Sequence, residues 1–218
     1  EIGPWPWPRQ RHAELIKRLK AAGARAIGLD VIFSETQNLH ADATLGGSIA
    51  AAGNVVLPVL IEQQTQGQLR ETLPLPALVR VSAGLGMAHA ETDGDGVLRS
   101  LYLRTGLGTA RWPHFVQKMI TTGLHEYHGG VANEEVALAS EFSAATRTSA
   151  QTGKRTGIVR EQHRTVRFVP GNRPFETISA QQILSGAWRP QAVRDKWVLV
   201  GMQATGIADS VFLPVSSQ

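Results

Sequence analysis

The 218-residue chain contains no cysteine. Disulfides, thiolate metal sites and a cysteine nucleophile are therefore excluded, and the composition suits an oxidising compartment. Charge is scarce, with Asp, Glu, Lys and Arg together making 18% of the chain. Aromatic residues make 6%, and the net charge of +4 is thinly spread. A nucleic-acid surface concentrates its basic residues on one face, so these values argue against nucleic acid as a partner. No apolar run approaches the roughly 18 residues of a membrane span. No internal repeat, heptad pattern or low-complexity tract is present.

A hydrophobic content of 42% can build a full core. The length predicts a single domain over residues 1–218. Pro4-Trp5-Pro6-Trp7-Pro8 is extended, because each proline fixes its own φ and restricts its predecessor. A helix is expected over 9–22, with Leu15, Ile16 and Leu19 on its inner face and Gly23 as its stop. The run AIGLDVIF at 26–33 reads as a strand covered on both faces. A helix carrying Leu45, Ile49 and Ala52 then leads to a strand at 54–61. These elements form a right-handed βαβ unit. Pro58 points to a bulge or an edge position in the second strand.

Residues 63–71 read as an exposed loop. Strands at 84–90 and 97–104 flank Asp93-Gly94-Asp95-Gly96, which is expected to close a hairpin as a structural turn of Asp93, Asp95 and Gly96. A helix is expected over 112–128, with Phe115, Met119, Ile120 and Leu124 inward. Residues 129–157, rich in Ala, Ser, Thr and Gly, read as a weakly ordered insertion. A short hairpin at 158–169, a helix capped by Ser179 and Gln182, and a strand at 197–201 complete the order. The fold class is α/β: a three-layer mixed sheet with a βαβ unit, a hairpin insertion and flanking helices.

No catalytic pattern is complete. His125-Glu126-Tyr127-His128 lacks the spacing of a helical zinc site. The Asp93 loop lacks the glutamate that a calcium loop needs at its twelfth position, where Arg104 stands with Thr105 after it. Gly84-x-Gly86 and Gly106-x-Gly108 lack the third glycine of a phosphate loop. No nucleophile elbow occurs. No catalytic residue, metal or cofactor is assigned.

Binding has better candidates. Ligands of open α/β sheets gather beyond the carboxyl ends of the strands. Asp30 interrupts the first strand, where a carboxylate must be hydrogen-bonded or lie near the strand's end, and Ser34 and Glu35 follow it; Gly201 ends the last strand, and Thr205 and Asp209 follow. Together they form the candidate ligand site. Two carboxylates there suit a cation, an amine or a hydroxyl. A metal-assisted hydrolase using Asp30, Asp209 and His89 is an alternative, as is a ligand-free dimerisation spacer. The basic residues of the first helix (Arg9, Arg11, Lys17, Arg18 and Lys20) suit either a solvated face or anionic lipid head groups. Those around 154–173 read as a solvated face.

Taken together, WPWPRQRHAELIKRLKAAGARAIGLDVIFSE, AAGNVVLPV, GLGMAHAETDGDGVLRSLYL, ETISAQQILSG and DKWVLVGMQATGIADSVFLPVS resemble the type-two CHASE domain, the "cyclases/histidine kinases associated sensory extracellular" module. Any one motif is weak, while their order and spacing are specific. The family's recurrent positions fall here on Asp30, Glu35, Asp93, Asp95, Arg99, Gly201 and Asp209. The resemblance implies the periplasmic or extracellular part of a bacterial transmembrane receptor. It also implies flanking membrane helices outside this chain, a homodimer in the intact receptor, and a cytoplasmic output module. That module would be a histidine kinase, a nucleotide or diguanylate cyclase, or a Ser/Thr kinase. The resemblance names no ligand. Met202-Gln203 departs from the small residues usual after the last strand. The family's closing Pro-Gly-x-x-x-His-Ala segment is absent, which suggests truncation just before it.

Overall fold

A computed structural model describes residues 3, 5–65, 67–89, 91–128, 157–166, 168 and 175–202. The expected insertion at 129–157 lies outside these, apart from Gly157. So do Thr205 and Asp209.

Helix α1 spans Arg9–Ala21 and follows Pro8, which cannot donate to a preceding turn. It ends at Ala22, and Gly23 takes the left-handed conformation (φ +85°) that an L side chain disfavours. Strand β1 is Ala26–Leu29, four fully buried residues. Helix α2 covers Leu39–Ala52. Asn38 caps its start by accepting from the Ala41 N–H, and Gly53 ends it in the left-handed region. Strand β2 is Val55–Gln63 and pairs parallel with β1, which completes the expected βαβ unit.

Beyond β2 the pairing departs from the sequence reading. Leu69–Thr72 forms strand β3, antiparallel to the end of β2, so the 63–71 segment is largely a hairpin rather than a loop. A short helix α3, Pro76–Val79, leads to β4, Gly84–Met87, which pairs parallel with β2. Strand β5, Ser100–Leu107, does not pair with β4. It belongs to a second sheet between β6, Trp112–Pro113, and β7, Ile158–Thr165. The Asp93–Gly96 turn therefore joins two sheets instead of closing a hairpin. The expected hairpin at 158–169 is likewise one continuous strand through Thr165. Two apolar strands flanking Asp-Gly carry a local turn signal, but their partners are set by distant segments.

Helix α4 is Phe115–His128 and α5 is Ala180–Ser185, the latter opened by the expected Ser179–Gln182 capping box. A 3-10 turn at Pro190–Ala192 precedes β8, Trp197–Val200, parallel to β1. The first sheet thus runs β3-β2-β1-β8, with β4 also on β2. Pro58 lies opposite Gly86 of β4, while on the other side the β1 register extends only to Val56, opposite Gly28. Asn54 O accepts from Ile27 N on that side, and strand alternation aims the Pro58 nitrogen the same way. Its missing N–H therefore falls where β1 has run out.

Side-chain alternation divides the sheet faces. Ile27, Leu29, Val55, Leu57, Val59 and Leu85 pack with α1, α2 and α3 into the main core, joined by Ile183 of α5. Val56 faces α4 with Phe115 and Met119. Glycines let α4 approach this second face. A Cβ at Gly28 would land on Met119 Sδ, one at Gly86 would lie 2.5 Å from Phe115 Cα, and one at Gly123 would lie 2.6 Å from Trp197 Nε1. The helix crosses the sheet obliquely, from β4 over β1 to β8. This phase corrects the expected inner face: Phe115 and Met119 are buried, while Ile120 and Leu124 are exposed together with Val116.

Candidate functional site

The β1 strand stops at Leu29, four residues earlier than the apolar run suggests. Asp30 is the first residue beyond it and is exposed. The carboxylate is thus kept out of the apolar core. Its N–H donates to Val200 O at 2.8 Å, and Val31 N donates to Leu29 O at 2.8 Å, turning the chain out of the sheet. Gly201 follows Val200 on the adjacent strand. An added Cβ there would lie 3.8 Å from both Cβ and Oδ2 of Asp30. Asp30 and Gly201 therefore stand side by side at the carboxyl ends of two paired parallel strands.

The segment after Asp30 is tied down at defined points. Phe33 is buried, and its carbonyl accepts from Leu75 N at 2.8 Å. Ser34 and Glu35 are exposed beyond it. Glu35 O accepts from Arg9 Nη2 at 2.7 Å, so its main chain is bound while its carboxylate faces solvent. Arg9 Nε donates to Asp42 Oδ1 at 3.1 Å, and its guanidinium stacks over the Phe33 ring at 4.3 Å. Arg9 is thus built into the structure, which corrects its reading as part of a solvated or lipid-facing stripe. Arg18 is likewise engaged with Glu14 and with Ile183 O. Lys17 and Arg11 are exposed.

The Asp93–Arg99 loop lies elsewhere, between β4 and β5. Asp93 N donates to Val97 O, Gly96 N donates to Asp93 O, and Gly96 takes φ +80°. Arg99 Nη1 contacts Asp93 Oδ2 at 2.8 Å and Asp95 Oδ1 at 2.9 Å, and Arg99 Nη2 contacts Asp95 Oδ2 at 2.8 Å. A guanidinium thus occupies the space between the two carboxylates. Its hydrogen bonds, with that from Val97 N, lower the Asp95 pKa to about 2. In an NMR titration Asp95 should protonate near pH 2, and Arg99→Ala should return it towards the ordinary value of 3.8. An unchanged Asp95 titration in Arg99→Ala would show that the pair does not hold in solution.

His89 lies 3.6 Å from Glu91, which also receives Arg160 Nε at 2.7 Å. The structure does not show His89 beside Asp30, and among the described residues no group of three or more His, Asp or Glu is arranged to hold a metal ion.

Two polar residues were not singled out from the sequence. His12 is buried with Leu15, Ile16 and Leu19, and its i, i+3, i+4, i+7 spacing to them was the available signal. Glu71 is buried at the junction of the two sheets, where its Oε1 accepts from Leu107 N at 2.7 Å. No local pattern marks it.

A mostly parallel sheet covered by helices on both faces, with an antiparallel extension, defines a three-layer α/β domain. The family model of the CHASE2 domain matches residues 1–218, and the chain belongs to this family. CHASE2 is a sensory extracellular domain found in signalling receptors and is not itself catalytic. No curated protein and no solved structure matches the chain at a significant level. Among the described residues, no helix is long and apolar enough to cross a membrane.

Proposed function

We propose that this domain senses a small ligand bound at the carboxyl ends of β1 and β8, and relays its occupancy to a cytoplasmic output module of a bacterial transmembrane receptor. The observation that carries this reading is the pairing of Asp30 with Gly201. A carboxylate stands at the end of one strand, and the neighbouring strand ends in a residue with no side chain to cover it. Ser34 and Glu35 add a hydroxyl and a second carboxylate on the adjoining loop. Such a site suits a ligand with amine or hydroxyl donors. Arg9 ties the same loop to α1, so a change at Glu35 has a direct path to the start of the domain.

A thermal-shift screen of amines, amino acids and polyols tests the site. At 100 times its Kd a true ligand stabilises by about 2.7 kcal/mol, a rise in melting temperature of roughly 5–10 °C. Asp30→Asn and Gly201→Leu should each abolish the rise. If no compound shifts the wild type, and Asp30→Asn leaves signalling by the intact receptor unaltered, the reading fails.

A further inference from the structure

We propose that His12 is a proton-sensitive latch that holds the Trp5–Trp7 segment against the domain, so that acidification outside the cell releases this segment. The inference is separate from the Asp30–Gly201 site and holds whether or not a ligand binds there.

The geometry is that of an enclosed base. The His12 side chain is buried, at 2% exposure, among three aromatic rings. Ring centroids of Trp5, Trp7 and Phe33 lie 5.7, 5.8 and 5.1 Å from the imidazole. Trp5 and Trp7 also contact each other at 5.6 Å. His12 therefore sits between the N-terminal segment and the loop that leaves β1. Its Nδ1 has no hydrogen-bond partner. A neutral imidazole tolerates this with one nitrogen, but a protonated ring needs acceptors for two N–H groups.

The charged and titratable groups on the elements packed around it do not supply the missing acceptor. Arg9, one turn earlier on α1, is a like charge that opposes protonation. Asp42 of α2 is engaged with Arg9 through Oδ1, and its buried Oδ2 makes no hydrogen bond to His12. Glu35 and His40 are exposed. Burial, followed by Arg9, lowers the His12 pKa from 6.5 to about 4.

The direction of the linkage is set by this lowering. Above pH 6.5 both docked and released states carry a neutral ring, and the docked state keeps its full advantage. Between pH 6.5 and 4 only the released state takes up the proton, so docking weakens as pH falls. From pH 7.5 to pH 5 the docking equilibrium is expected to shift ~30-fold towards release.

Two measurements on the full chain test the latch. In the first, NMR of ring-labelled histidine gives the His12 pKa in the folded protein. A value near 4 is expected, and an ordinary value near 6.5 would overturn the proposal. In the second, hydrogen exchange of the Ala13, Leu15 and Ile16 amides, corrected for intrinsic rates, gives the opening constant. It should rise ~30-fold between pH 7.5 and 5 in the wild type and stay level in His12→Phe. His12→Gln, smaller and also non-titrating, serves if the phenylalanine variant does not fold. A His12-independent rise overturns the proposal. So does equal protection of these amides and those of Val56 and Leu57, because opening would then be whole-domain unfolding.

Discussion

Gly86→Ala is expected to destabilise the domain by about 3 kcal/mol and to lower its melting temperature by roughly 10 °C. The added methyl would lie 2.5 Å from Phe115 Cα and 3.0 Å from Phe115 N. Both are backbone atoms at the first turn of α4, so no rotamer change relieves the clash. The helix must lift from β4, and Phe115 and Met119, which are buried against Val56, must follow. Gly28→Ala is a useful contrast. Its methyl meets the end of the Met119 side chain, a flexible thioether that can turn aside. Thermal denaturation of both variants checks the difference. Equal loss at the two positions would mean that α4 tolerates displacement, and the close approach at Gly86 would lose its significance.

Glu71→Ala is expected to cost about 2–4 kcal/mol, while Glu71→Gln costs under about 1.5 kcal/mol. Glu71 is on β3 of the first sheet, and its Oε1 accepts from Leu107 N at the end of β5 in the second. Its Oε2 lies 3.8 Å from Arg111 Nε. Alanine leaves the half-buried Leu107 N–H without its acceptor and removes the carboxylate beside Arg111. Glutamine keeps a carbonyl oxygen for Leu107. Arg104 braces the same corner by donating from Nε to Ala110 O and from Nη2 to Arg111 O. Denaturant unfolding measures both costs. Amide exchange at Leu107 should rise in the alanine variant before that of β1 if Glu71 is the clasp between the sheets. Matching losses in the alanine and glutamine variants would assign the effect to the charge instead.

Much of the domain could be read along the chain. The α1–β1–α2–β2 order, the glycine stops at 23, 53 and 186, and the Ser179 capping box all rest on signals held within a few neighbouring residues. The family resemblance also came from ordered motifs, and the CHASE2 match over residues 1–218 agrees with it. At the candidate site, Asp30 and Gly201 were visible as interruptions of apolar runs, although the run through Phe33 hid the early end of β1 at Leu29. Their adjacency was not, because it depends on β8 pairing with β1 across about 170 intervening residues.

The remaining features have the same origin. Periodicity reports which residues of one element share a face, and turn chemistry reports where that element stops; both are short-range. Strand partners, by contrast, are chosen by the packing of segments far apart in the chain. For that reason β5 left β4 for β7, and the 63–71 segment became a hairpin carrying a buried Glu71. The oblique path of α4 over Gly86 and Gly28 turned Ile120 and Leu124 outward although their spacing suited a core. His12 could be placed on the buried face of α1 from sequence, but its enclosure by Trp5, Trp7 and Phe33 arises only when the N-terminal segment and the β1 loop meet around it.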